Sequence, residues 1–82
     1  MARPEKAFDR ILRAASDANL RFEDVCNVLR SLGFSERIRG DHHIFARHDI
    51  PEILNLQPRN AKAKPYQVKQ VRDLIIRHGL RI

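Results

Sequence analysis

The chain has 82 residues, in which 16 Lys and Arg stand against 10 Asp and Glu to leave a formal charge of +6 at neutral pH. That length suits one small domain with a single layer of helices on a sheet and excludes a nucleotide-binding α/β enzyme, while the positive surplus favours an anionic partner such as nucleic acid. No apolar run approaches the roughly 18 to 20 residues that span a bilayer, and the N-terminus lacks the apolar core of a secretory signal, so the expectation is a soluble, cytoplasmic protein with no membrane partner.

The first element is a short amphipathic helix over about 5–15. Pro4 suits a first helical turn, and Phe8, Ile11, Leu12 and Ala15 recur at helical spacing. The polar run Ser16-Asp17-Ala18-Asn19 ends it. A second helix begins near Arg21, with Phe22, Val25, Cys26, Leu29 and Leu32 as one continuous stripe and Gly33 as its stop. Cys26 is the only cysteine, which excludes an internal disulfide framework; among apolar neighbours it reads as a buried, inert thiol.

From Phe34 the period changes to two. Phe34, Glu36 and Ile38 share one side of a strand over 34–39, and Ser35, Arg37 and Arg39 share the other, giving it a basic face. Gly40-Asp41 reads as a tight turn into a second strand over 42–47, so the pair forms an antiparallel hairpin. His48-Asp49-Ile50-Pro51 reads as the next turn and 52–57 as a third strand. The segment 58–64, with Arg59, Lys62 and Lys64, reads as an exposed basic loop. Pro65 opens a last helix whose apolar face is Val68, Val71, Leu74 and Ile75 and whose stop is Gly79. The expected class is therefore α+β: a three-stranded antiparallel sheet with helices on one face, in the α-β-β-β-α order of double-stranded-RNA-binding domains, preceded by an extra N-terminal helix.

The chemistry-bearing stretch is the turn Gly40-Asp41 with the pair His42-His43 behind it. Imidazole is the side chain whose ordinary pKa lies nearest neutrality, so a positioned histidine can take or give a proton without a metal or cofactor. Side-chain alternation separates the two: if Phe45 is buried beneath the helices, His43 points to the covered side and His42 to the open one. A metal centre is disfavoured, because no pair among the histidines and the single thiol has a recognisable zinc spacing.

Three stretches together, Leu32-Gly33-Phe34, Arg39-Gly40-Asp41-His42-His43-Ile44-Phe45 and the closing Val71-Arg72-Asp73-Leu74-Ile75-Ile76-Arg77-His78-Gly79-Leu80, resemble the HicA family of toxins, small ribonucleases of toxin–antitoxin pairs. The likeness covers about 22–80. It implies a single domain, 1–82, in which 1–20 is a helical extension ahead of a core over 21–82. In that family the hairpin turn typically reads Gly-Ser-His; Gly40 matches the glycine and His42 the histidine, with His43 as the second candidate, while Asp41 stands where the family has Ser. The resemblance implies metal-independent cleavage of mRNA by a histidine general base, without cofactor, and control by a HicB-type antitoxin protein. Arg37, Arg39, Arg47, Lys62 and Lys64 are the candidate phosphate-binding cations. The alternative reading is a noncatalytic RNA-binding module of the same fold.

Overall fold

The computed structural model describes residues 3–14 and 18–82. Its elements run α1 (Pro4–Arg13), α2 (Phe22–Ser31), β1 (Ser35–Arg39), β2 (His42–Arg47), β3 (Ile50–Leu56) and α3 (Pro65–His78). The strands form one antiparallel sheet in the order β1-β2-β3, so the chain has the α+β layout that its change of periodicity implies. Ala15, where the first helix is expected to end, and the Ser16-Asp17 half of the following turn lie outside the described residues.

Pro4 occupies the first turn of α1, where its missing N–H has no helical partner to lose. In α2, Glu23 and Asp24 in the first turn and Arg30 in the last complement the helix dipole. Both α2 and α3 end in the same hydrogen-bond pattern around a left-handed glycine. After α2, the Phe34 N–H donates to the Leu29 carbonyl at 3.1 Å and the Gly33 N–H to that of Arg30 at 3.0 Å, with Gly33 at φ 90°. After α3, Leu80 and Gly79 donate to Ile75 and Ile76 in the same way. This explains one departure from the alternation reading. Phe34 closes α2 and drops its ring into the core, so β1 begins one residue later, at Ser35.

The third strand also differs from expectation, because it starts at Ile50 rather than Glu52. Phe45 faces Leu54, but Arg47 faces Ile50 across a turn of only His48 and Asp49, so β3 carries extra residues at a register shift. Pro51 falls in that irregularity on an edge strand, a place where a residue without an N–H costs the ladder nothing.

One face of the sheet is covered. Phe45, Leu54 and Leu56 point into a core shared with Val25, Val28 and Leu29 of α2 and Val68, Val71, Leu74 and Ile75 of α3. Burying a side chain of this size stabilises the fold by about 1.5–3 kcal/mol. Ala7 and Ile11 belong to the same core, and the Arg72 guanidinium donates to the Ile11 carbonyl at 3.3 Å, which ties α1 to α3. At the other end of α3, Arg77 and His78 both reach Glu52 of β3 and hold its carboxyl down at about 2, Arg77 contributing most. The opposite face of the sheet carries Arg37, Arg39, His42, Asn55 and Ile53, all exposed.

Candidate functional site

The sheet separates the two neighbouring histidines as alternation requires. His43 is opposite Ile38 and His42 opposite Arg39, so the imidazoles lie on different faces. His43 is on the covered side, where its Nδ1 lies 2.7 Å from Glu36 Oε2 and its ring meets the Phe22 ring edge-on at a centroid distance of 4.8 Å. His42 is on the open side, where its Nδ1 lies 3.0 Å from Asn55 Oδ1. Donation of an Nδ1–H to that oxygen would leave the lone pair on Nε2, the tautomer a general base needs.

The turn beside His42 is braced from the end of β3. Gln57 Nε2 donates to Asp41 Oδ2 at 2.7 Å, and the buried Gln67 amide of α3, with its amine toward the Gln57 carbonyl at 3.1 Å and its oxygen toward the Gln57 N–H at 3.2 Å, fixes Gln57 in turn. The Gln57 bond is the main reason that the Asp41 carboxyl is held below its ordinary range; the charges of His42 and Lys64 act in the same direction. Asp41 Oδ1 stands 3.9 Å from His42 Nε2, too far for a hydrogen bond.

The candidate cations divide into groups. Arg39 pairs directly with His42 across the hairpin, and Arg37 lies two residues along the same face. Lys64 reaches the Asp41 neighbourhood electrostatically. Lys62 flanks the tight turn of the 58–64 segment opposite Arg59, with its ammonium 3.4 Å from Asn19 Oδ1. Arg47 is apart from these: its guanidinium is half-buried on the covered side, donating to the Leu32 carbonyl at 2.8 Å and pairing with Asp49 at 2.8 Å. Those bonds hold the end of α2 to the sheet.

A second polar cluster lies under the sheet. Arg30 bridges Glu36 and Glu23, and Glu36 also meets His43, so its carboxyl is held below its ordinary range chiefly by the Arg30 hydrogen bonds. Cys26 is fully buried beside them, and burial pushes its thiol up to about 12, which keeps it protonated and inert. Ligand atoms of Cys26, Glu36 and His43 come within 4.8 Å of one another. The spacing along the sequence did not reveal this set, because its members come from α2, β1 and β2. Glu36 is already engaged by the Arg30 guanidinium and the His43 imidazole, which ties the cluster into a hydrogen-bonded network across α2, β1 and β2.

Sequence reasoning passed over Asn55 and Gln57. Asn is depleted in strand interiors, and its presence in β3 was the available signal. Comparisons with protein-family models, with curated proteins and with solved structures each find no match.

Proposed function

We propose that this chain is a metal-independent endoribonuclease of the HicA-like toxin kind, with His42 as the general base. The observation that carries the reading is the exposed His42 imidazole, oriented by Asn55, on a sheet face that also presents Arg37 and Arg39. In this mechanism Nε2 removes the proton from a ribose 2′-hydroxyl, whose oxygen attacks the neighbouring phosphorus and forms the cyclic phosphate. The bond to the 5′-oxygen of the next nucleotide breaks, and that oxygen leaves with a proton from an acid. Arg37 and Arg39 stabilise the charge that gathers on the phosphate. The opposed faces of the two imidazoles argue against a paired base and acid, so the acid is water or a lysine, and His43 serves the packing of the covered side.

The partner this implies is mRNA, and the regulator a HicB-type antitoxin protein that covers the basic open face; the working compartment would be the cytoplasm. The competing reading, an RNA-binding module without catalysis, is favoured by Asp41, whose negative charge beside His42 opposes an incoming phosphate. The deciding experiment is incubation of the purified chain with RNA in the presence of a chelator, followed by end-group analysis. Fragments with cyclic phosphate and 5′-hydroxyl ends support the nuclease; intact RNA that is nevertheless bound supports the module.

A further inference from the structure

A cleft of about 330 Å³ opens between the 58–64 segment and the start of α3. Arg59, Lys62 and Lys64 line it, and among the described residues no carboxylate does. Its shape follows from a tight turn: Arg59 and Lys62 exchange both backbone hydrogen bonds at 2.9 Å, with Asn60 and Ala61 at the tip in the left-handed region at φ 51° and 66°. Residues that flank a two-residue turn project to the same side, so this backbone holds two cations next to each other. An alanine in that conformation is strained, and the strain is maintained because the Ala61 carbonyl accepts the Phe22 N–H at the start of α2.

The other wall is Tyr66, the only tyrosine in the chain, which is 60% exposed although it sits in the first turn of a helix packed on the core. An exposed aromatic ring beside clustered cations has the chemistry of a stacking platform: bases of any identity can lie on the ring while the cations take the backbone. The cleft also lies at the right end of the sheet. The segment that forms it leaves β3 through Gln57, and the Gln57 side chain bonds Asp41, the neighbour of His42.

We propose that this cleft is a nucleotide subsite for single-stranded RNA, in which the Tyr66 ring stacks one base and Arg59 with Lys62 holds the adjoining phosphate. The inference rests on RNA being the ligand of the basic face and adds to it a strandedness: a base that stacks on a protein ring must be unpaired, so duplex RNA is refused at this point. Because Tyr66 is exposed, its replacement leaves the core untouched.

The test uses the full chain carrying His42→Ala, so that RNA stays whole, and follows anisotropy of a labelled single strand and of the same sequence as a duplex. Tyr66→Ala should weaken single-strand binding roughly ten-fold, towards the lower end of what base–aromatic stacking contributes, and leave duplex binding unchanged. Tyr66→Phe should bind as the parent does, and 2-aminopurine in the strand should be quenched by the parent and the Phe variant but not by the Ala variant. Binding of single strands by Tyr66→Ala at parental strength, or equal weakening towards both RNAs, overturns the subsite while leaving RNA as the ligand. Absence of RNA binding by the parent itself removes the subsite and the nuclease reading together.

Discussion

His43 Nδ1 lies 2.7 Å from Glu36 Oε2 within the covered half of the sheet, and the pair shares Glu36 with Arg30. The imidazole is therefore part of the packing that joins α2 to the hairpin. Its exposed neighbour His42 has no comparable burial. His43→Ala should cost about 1–3 kcal/mol, because it removes the ring contact with Phe22 and leaves a carboxylate one bond short. His42→Ala should stay within about 0.5 kcal/mol of the parent. Urea unfolding of the two variants checks this, and equal midpoints contradict the assigned facing.

The same carboxylate predicts a pH dependence. Arg30 holds the Glu36 carboxyl below its ordinary range, burial works against this, and His43 adds to the lowering. The unfolded chain therefore takes up this proton at a higher pH than the folded one. The stabilisation is complete above the usual carboxylate value of about 4.3 and is lost as the pH falls through the lower folded value. The gap in urea midpoint between the parent and Glu36→Gln should accordingly shrink as the pH is taken from about 6 towards the folded-state pKa of Glu36. A gap that stays constant over that range shows that Glu36 is not held as described.

Ala61 adopts φ 66° at an exposed turn, a conformation that glycine reaches without a Cβ penalty. Relief of that strain in the native state should outweigh the extra freedom glycine gives the unfolded chain, so Ala61→Gly should raise stability by roughly 0.5–1 kcal/mol. Thermal unfolding measures it. A loss of stability would mean that the methyl group contributes packing that outweighs the backbone strain.

If the 58–64 segment contacts phosphate, RNA affinity should fall steeply with salt, and replacing Lys62 and Lys64 together should both weaken binding and flatten the dependence by roughly two counterions. Titrations at several salt concentrations give the slope. A slope identical to that of the parent removes these two lysines from the interface.

The fold was legible where local chemistry and tertiary packing agree. The stripe Phe22, Val25, Cys26, Leu29 reads as a helix face and is buried as one, and Pro65 opens α3 as its fixed φ favours. The misreadings occur where a residue answers to a distant partner. Phe34 has the alternation of a strand but is used to close α2, and Pro51 reads as a turn because the sequence does not show that β3 is an edge strand with a register shift. In the same way, Arg47 reads as a surface cation, since nothing near it in the chain announces the Leu32 carbonyl it binds. The facing of His42 and His43 needed only the assumption that Phe45 is buried, which holds: Phe45 is fully buried. Asn55 was missed because its relation to His42 crosses two strands' worth of sequence.

The central claim is that the open-face imidazole performs proton transfer, and single alanine variants in a cleavage assay test it most directly. Purified parent, His42→Ala and His43→Ala are incubated with RNA and a chelator, with folding of each verified by circular dichroism. The account predicts cleavage by the parent, none above background by His42→Ala at parental RNA affinity, and cleavage by the folded fraction of His43→Ala. Normal cleavage by His42→Ala contradicts it: with His43→Ala inactive, the base would be on the covered face, and with both variants active, neither histidine would be the base.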